Sequence, residues 1–176
     1  MTLDELNGLA DSAFVRALAA IYEHSPWVAA DVAGLRPFAS IDELHGAMME
    51  VVAMAPEETR FALVAGHPDL GGRLARAGKL EAASAAEQSG LGLDRLSEAE
   101  FARFDRLNTE YRARFGFPFV IAVKRHTRAT ILAAFEQRLS HDTATELRTA
   151  LNEVNQIARF RLEALIAAPA AAAGKS

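Results

Sequence analysis

The residue best suited to acid–base chemistry is His67, in the sequence Gly66-His67-Pro68-Asp69-Leu70-Gly71-Gly72. A proline fits the first position of a helix, so this pattern predicts a helix that begins at Pro68. His67 would then lie at the positive end of that helix, where a nearby anion is stabilised. The alternative is a histidine that only fills the N-cap region or packs on a neighbour.

A second candidate is Glu87, in the sequence Ser84-Ala85-Ala86-Glu87-Gln88. This spacing fits a capping box, in which a serine and a glutamate three residues later bond each other's backbone N–H groups. Outside that role, the carboxylate can exchange protons beside the donor and acceptor of the Gln88 amide. The two uses compete for Glu87 unless Ser84 caps the helix alone.

The third candidate, Arg161, is singled out by helical geometry. Its helix is predicted over residues 143–166 and carries an apolar stripe that includes Leu147, Val154, Ile157 and Leu165. Arg161 lies within about 40° of each of these on a helical wheel, whereas Arg159 points away toward solvent. Burying an unpaired guanidinium costs several kcal/mol. Arg161 must therefore pair with an internal carboxylate, extend to the surface, or bind a ligand.

Helices are the elements expected to position these side chains. Alanine makes up about a fifth of the chain, a composition that favours helix. Capping-box spacings mark helix starts, and glycine and proline mark the ends. The boxes are at Thr2/Glu5, Ser40/Glu43, Ser97/Glu100 and Thr143/Glu146. The predicted helices are 3–9, 11–24, 27–34, 41–54, 57–65, 68–77, 84–90, 97–115, 127–140 and 143–166. We expect one all-α domain, a bundle of about eight to ten helices.

The longest apolar stretch is residues 117–123, with the sequence Phe-Pro-Phe-Val-Ile-Ala-Val. It could form a short strand, but a lone strand has no pairing partner, so we predict an extended, buried connector. It is also far shorter than the roughly 20 residues of a membrane span. The helical domain is expected over residues 5–166, followed by a flexible alanine-rich tail at 167–176.

Composition argues against several classes of protein. Hydrophobic residues make up 51% of the chain and charged residues 24%, a globular balance. The absence of cysteine excludes disulfides, thiolate metal sites and a cysteine nucleophile. A net charge of −4 with scattered basic residues predicts no nucleic-acid partner. The five histidines show no metal-binding spacing, so no metal site is predicted. The acidic start lacks the order of a signal peptide, which favours the cytoplasm.

Six motifs nevertheless occur in a specific order. They are Tyr22-Glu23-His24-Ser25-Pro26-Trp27-Val28, His67-Pro68-Asp69-Leu70-Gly71, Ser84-x-x-Glu87-Gln88, Leu107-Asn108-x-x-Tyr111, Phe115-Gly116-Phe117-Pro118-Phe119 and Ile157-Ala158-x-x-Arg161-Leu162. Together they resemble the family of 2-oxo-4-hydroxy-4-carboxy-5-ureidoimidazoline (OHCU) decarboxylases. The resemblance extends over about residues 5–166. Each motif alone is weak, whereas six in this order and spacing are specific.

The resemblance implies an all-helical homodimer that converts OHCU to (S)-allantoin, the last step of urate-to-allantoin degradation. It implies no metal and no organic cofactor, because the substrate's own C=N bond accepts the electrons that the departing CO2 leaves behind. The implied catalytic residues are His67, as general acid–base, with Glu87 and Arg161 orienting the substrate. The implied substrate contacts are Pro68, Ser84, Ala85, Ala86, Glu87, Gln88, Phe119, Val120, Ile121, Ala122 and Val123.

Two other functional classes are alternatives at this stage. A non-catalytic helical module could bind purine-derived ureides without turnover. A hydrolase of ureido or amide bonds would normally need a metal or a nucleophile, and the sequence contains no motif for either.

Overall fold

The chain folds into α-helices joined by short loops and turns. The computed structural model describes residues 1–166. Within these residues the α-helices are α1 (Leu3–Asn7), α2 (Asp11–Leu18), α3 (Pro26–Val32), α4 (Ile41–Met54), α5 (Glu57–Ala65), α6 (Arg73–Arg76), α7 (Ala82–Ser89), α8 (Glu98–Phe115), α9 (Arg128–Arg138) and α10 (Thr143–Leu165). One-turn 3-10 helices occupy Ala33–Leu35 and Val123–Arg125. No strand occurs in this range, so the all-α prediction is confirmed. The predicted tail, 167–176, lies outside the described residues.

Several helix ends follow from local sequence signals. The reciprocal capping boxes at Thr2/Glu5 and Ser97/Glu100 form as predicted. At the start of α4 the box is half formed. The Ser40 hydroxyl accepts the N–H of Glu43 at 3.1 Å, but the Glu43 carboxylate accepts the N–H of Ala39. Helices α4 and α5 have the predicted bounds.

The predicted capping box at Thr143/Glu146 is wrong. Asp142 instead caps α10, because its Oδ1 accepts the N–H of Thr145 at 2.8 Å. The hydrogen bonds from the backbone and side chain of Thr145 hold the pKa of the Asp142 carboxyl below its usual range. Glu146 is fully buried and pairs with Arg138 instead.

Two predicted helices are too long. The helix predicted over 11–24 ends at Leu18, and turns follow up to His24, whose φ of 55° is left-handed. The helix predicted over 68–77 is reduced to the single turn of α6. Its first residues form a loop instead.

The chain divides into two compact units. Among the described residues, unit 1 contains Met1–Met54 and residues 158–166, and unit 2 contains Ala55–Ile157. The division falls inside α10, so this helix contributes to both. In unit 1, α3 contacts α2 and α4. The fully buried side chains of these helices include Phe14, Leu18, Val28, Val32, Leu44 and Met48.

Aromatic rings form much of the core of unit 2. The rings of Phe119 and Phe135 stack with 3.8 Å between centroids. Tyr111 meets both rings edge-on, at 5.4 and 5.7 Å. Phe119 belongs to residues 117–123, which are buried throughout and contain no strand. The prediction of a buried connector is confirmed, and we call these residues the connector.

Candidate active site

His67 lies two residues beyond the end of α5 and is buried. Its backbone N–H donates to the carbonyl oxygen of Val64 at 3.1 Å. The ring Nδ1 lies 3.0 Å from the carbonyl oxygen of Leu63. A carbonyl oxygen only accepts hydrogen bonds, so Nδ1 must carry a proton. In the neutral ring Nε2 then holds the lone pair, and it is the nitrogen that can take up and return a proton.

The structure corrects the expected helix after His67. Pro68 is not a first helical residue, because residues 68–72 form a loop and α6 begins only at Arg73. His67 therefore sits at the carboxyl end of α5, which carries partial negative charge, rather than at the positive end of the next helix. We call residues 66–72 the His67 loop.

Side chains from two helices hold the His67 loop. The Gln88 Oε1 of α7 accepts the N–H of Gly71 at 2.9 Å. From α8, Asn108 Nδ2 donates to the carbonyl oxygen of Leu70 at 2.9 Å. These side chains satisfy backbone groups that a helix would otherwise pair, which explains why a loop is stable here.

A salt bridge adds a further anchor, since Arg112 Nε lies 2.7 Å from Asp69 Oδ1. Neither Asn108 nor Arg112 was a predicted site residue. They are four residues apart on α8 and therefore share one face. The motif Leu107-Asn108-x-x-Tyr111 contained Asn108. Its spacing of three residues from Tyr111 put it on the apolar side of the predicted helix, and a buried polar side chain needs a polar partner.

The interpretation of Ser84/Glu87 as a capping box is also wrong. Helix α7 begins at Ala82 with Glu81 at its N-cap, so Ser84 and Glu87 both lie inside the helix. Ser84 and Gln88 are buried and Glu87 is half-buried. Residues three and four apart share a helix face, so these three polar side chains project from the same side of α7. Glu87 therefore does not cap this helix.

The connector is held by two charged side chains. Arg138 of α9 donates through Nη1 to the carbonyl oxygen of Val120 at 2.8 Å. Glu153 of α10 accepts the N–H of Ala122 through Oε2 at 2.8 Å. The connector ends in the 3-10 helix Val123–Arg125, which contacts α7. Unit 2 therefore brings together the predicted residues of the His67 loop, α7 and the connector.

Arg138 belongs to a buried network that the sequence analysis missed. Its Nε donates to Glu146 Oε1 at 2.8 Å. The Tyr111 hydroxyl donates to the same carboxylate, and His141 Nδ1 lies 2.7 Å from its Oε2. Burial raises the pKa of the Tyr111 hydroxyl well above its usual range, so this group stays a donor. The helical wheel could have found Arg138, because it lies about 20° from the buried Ile131.

Arg161 belongs to unit 1 and is buried, as the helical wheel predicts. Its Nη2 lies 3.3 Å from Glu23 Oε2, and Nη1 donates to the carbonyl oxygen of Ala20 at 3.1 Å. The internal carboxylate that the sequence analysis considered is therefore present. Arg159 is more exposed and pairs with Asp42 and Glu163.

Two other kinds of feature are absent from residues 1–166. No group of three or more acidic or histidine side chains is arranged to hold a metal ion. None of the helices in the same range is long and apolar enough to cross a bilayer.

Comparison with known proteins gives a consistent result. A family model described as OHCU decarboxylase matches residues 7–163. A relative from Haloferax volcanii, named 2-oxo-4-hydroxy-4-carboxy-5-ureidoimidazoline decarboxylase, is 49% identical over 92% of this chain and 94% of its own length.

Two solved structures are also similar. A crystal structure of (S)-allantoin synthase superposes with a TM-score of 0.76 at 30% identity, over 94% of this chain and 54% of that one. A structure of OHCU decarboxylase in the presence of (S)-allantoin has a TM-score of 0.65 at 19% identity, over 85% of this chain and 96% of that one. At that identity the second likeness supports the fold alone.

Proposed function

The chain belongs to the OHCU decarboxylase family, and we infer from this that it decarboxylates OHCU to (S)-allantoin. The observation that carries the inference is the match of the family model over residues 7–163, nearly all of the described chain. The arrangement in unit 2 supports it, because a buried histidine, a half-buried glutamate and a polar amide lie on neighbouring elements.

The reaction consumes one proton overall. The bond between the ring carbon and the carboxylate breaks and CO2 leaves. The electron pair of that bond forms a C=C bond to the carbon that bears the ureido group, and the π pair of its C=N bond moves onto the ring nitrogen. A proton is taken up on that ring nitrogen, and another is delivered to the carbon that bears the ureido group. The hydroxyl loses its proton and becomes a carbonyl. The protein must orient the breaking bond and deliver the carbon-bound proton to a single face.

We assign the proton transfers to His67. Its Nδ1 lies 3.0 Å from the Leu63 carbonyl oxygen, a contact that orients the ring, and we assign proton exchange with the substrate to Nε2. An imidazole acting through one nitrogen can accept the hydroxyl proton and return a proton to the product. Pro68 and the rest of the His67 loop then shape the wall beside it.

Glu87 and Gln88 are proposed to anchor the substrate from α7. Glu87 has no capping role, and its carboxylate can accept hydrogen bonds from ring N–H groups or polarise His67. The Oε1 of Gln88 accepts the N–H of Gly71, and its Nε2 donates to the carbonyl oxygen of Asp69 at 3.5 Å, so the second N–H of Nε2 is the part suited to a carbonyl or ureido oxygen. Ser84, Ala85 and Ala86 complete this proposed contact surface.

The connector is proposed to contact the flat substrate through its backbone, over Phe119, Val120, Ile121, Ala122 and Val123. The carbonyl of Val120 and the N–H of Ala122 are occupied by internal partners. In an extended chain the backbone groups of successive residues face opposite sides, so those of Val120 and Ala122 share one side. The backbone groups of Phe119 and Ile121 are therefore the ones that we assign to the substrate.

Arg161 is proposed to hold a carbonyl or ureido oxygen of the substrate. Gripping the departing carboxylate would stabilise the ground state and slow the reaction. Glu23, its ion-pair partner, would keep the guanidinium oriented. This role is supported by the resemblance at Ile157-Ala158-x-x-Arg161-Leu162 and by the burial of the side chain.

We also propose that the protein is a cytoplasmic homodimer that needs no metal or organic cofactor. The support is the resemblance to the family, together with the electron-accepting C=N bond of the substrate. Light scattering on the purified protein would test the dimer, and cell fractionation the location. Unchanged turnover after treatment with a chelator is the result expected of a metal-free enzyme.

One experiment tests the activity directly. OHCU is generated from urate by the two preceding enzymes of the pathway, the protein is added, and circular dichroism follows chiral allantoin. Spontaneous decay gives a racemate, so a growing signal of (S)-allantoin is expected. A signal equal to that without the protein would overturn the proposal and favour a non-catalytic module that binds ureides.

A further inference from the structure

We propose that Arg138 and Glu153 are positioning residues that hold the connector in the register needed for substrate binding. This inference rests on the proposed function, because it takes residues 119–123 as the substrate-contacting part of the connector. Neither residue is proposed to touch the substrate. Each acts through the backbone that it holds.

Arg138 fixes two consecutive residues of the connector. Besides its hydrogen bond to the Val120 carbonyl, its guanidinium carbon lies 4.4 Å from the centroid of the Phe119 ring. A planar guanidinium over an aromatic face is attracted to it and limits its movement. One buried side chain thus restrains both a backbone carbonyl and the neighbouring ring.

Arg138 is itself held in place. It pairs with Glu146, which is fully buried and also accepts a hydrogen bond from Tyr111. Moving the guanidinium away would leave a buried carboxylate without its cation, which is strongly unfavourable. The anchor on Val120 is therefore rigid.

Glu153 provides the second anchor, from a different helix. Its carboxylate accepts the N–H of Ala122, a residue that is almost completely buried. Without Glu153 that N–H would lose its acceptor in a site that water reaches poorly, so the connector would rearrange to satisfy it.

We place the two anchors on the same edge of the connector. Val120 and Ala122 are two residues apart, and in an extended chain such residues direct their peptide groups to one side. A slip by one residue would exchange the two edges. Holding both positions therefore keeps the peptide groups of Phe119 and Ile121 on the opposite edge, toward the proposed substrate.

The test compares Glu153→Leu with Glu153→Gln. Leucine removes the acceptor for the Ala122 N–H, whereas glutamine keeps a carbonyl oxygen that can replace it. Binding of (S)-allantoin is measured by calorimetry, and KM, kcat and Tm are measured on the same samples. For Glu153→Leu we expect Kd and KM to rise about tenfold, equivalent to about 1.4 kcal/mol, with a smaller change in kcat. Glu153→Gln should bind nearly as the wild type does.

Two further variants complete the design. Glu136→Leu makes the same chemical change at an exposed position of α9, where the glutamate pairs only with Arg103, and should leave Kd and KM unchanged. Arg138→Lys keeps the charge beside Glu146 but loses the planar guanidinium that lies over Phe119. We therefore expect KM to rise in this variant as well. If Glu153→Leu does not fold, Arg138→Lys carries the comparison with the wild type.

Several results would overturn the inference. Folded Glu153→Leu or Arg138→Lys that binds (S)-allantoin like the wild type would remove that residue from the positioning role. Equal losses in Glu153→Gln and Glu153→Leu would show that the hydrogen bond to Ala122 is not the cause. An inactive wild type would instead be a failure of the proposed function, which the same assays separate from these outcomes.

Discussion

At the scale of single residues, His67 is the residue to which we assign the proton transfers. Replacing it by asparagine keeps a polar side chain near the Leu63 carbonyl but removes the titrating group. For His67→Asn we expect a folded protein whose turnover is lower by roughly 10²- to 10⁴-fold, the usual contribution of one acid–base group. The dichroism assay and a melting curve measure both properties.

His24→Asn is the matched control for this change. His24 is exposed and has a left-handed φ of 55°, a conformation that asparagine tolerates. Its activity should stay normal. Near-normal rates in His67→Asn as well would remove His67 from the mechanism.

Glu87 can be tested without disturbing a helix cap, because it lies inside α7. Glutamate and glutamine have similar helix propensities, so Glu87→Gln should unfold at nearly the wild-type temperature. We expect activity to collapse nonetheless, since the neutral amide cannot replace a carboxylate that accepts or polarises protons. Full activity in a stable variant would contradict the assigned role.

Arg161→Lys tests the remaining catalytic assignment. Arginine reaches Glu23 and the Ala20 carbonyl with two different nitrogens, which a lysine ammonium cannot reproduce. We expect kcat/KM to fall at least about tenfold at a temperature where the variant is fully folded. Arg159→Lys, at an exposed ion pair on the same helix, should change neither activity nor Tm.

The two readings of Arg161 give different results in this comparison. If the residue only stabilises unit 1, the loss of activity should follow the unfolded fraction and vanish on cooling. A loss that persists in the folded protein would support substrate binding. Equal effects at Arg159 and Arg161 would contradict the wheel argument.

Sequence periodicity predicted the burial of Arg161 but not its partner. The stripe on α10 is a local pattern, whereas Glu23 is 138 residues away along the chain. The same limit applies to Arg138, whose wheel position indicated burial although Val120 and Glu146 could not be inferred as its contacts. Local sequence patterns predict which side of a helix is buried. They do not predict which residues, distant in sequence, contact that side.

At the scale of elements, the His67 loop explains the main error of prediction. Pro68 is equally compatible with the first turn of a helix and with a loop. The loop forms because the side chains of Gln88 and Asn108 make hydrogen bonds to the backbone groups of Gly71 and Leu70. Helices α4 and α5, whose ends are marked by the local residues Ser40, Pro56 and Gly66, have the predicted bounds.

Gly71→Ala is the corresponding prediction for this loop. Gly71 has a φ of 59°, and an added Cβ would lie 3.0 Å from Leu96 and 3.3 Å from Phe104. The left-handed conformation alone costs about 1–2 kcal/mol for a residue with a Cβ. We therefore expect a lower Tm together with reduced turnover, because the displaced loop also carries His67.

Gly78→Ala separates the two causes. Gly78 has a similar φ of 64°, but nothing lies within 4 Å of its added Cβ. It should lower the Tm by the backbone cost and leave turnover unchanged. An identical outcome for both variants would show that the close packing around Gly71 has no functional consequence.

At the scale of the whole molecule, the division into two units was not predicted, because the apolar stripe of α10 runs without interruption across it. Because this one helix contributes to both units, we expect them to unfold together. The fluorescence of the single tryptophan, Trp27, reports on unit 1, and far-UV circular dichroism reports on the helices of both units. Their urea transitions should coincide. Two separate midpoints would show that the units unfold independently.

The discontinuity of unit 1 has a consequence for synthesis on the ribosome. About a hundred residues separate Met54 from Ala158, and the whole of unit 2 is encoded between them. At roughly 5–20 residues per second, the N-terminal helices wait about 5–20 s before the last part of α10 is made. During this interval the apolar side chains of residues 1–54 lack part of their final packing partners. We therefore expect chaperones to bind the nascent chain early, at its amino-terminal segment. This segment is translated first but lacks part of its packing until α10 is complete.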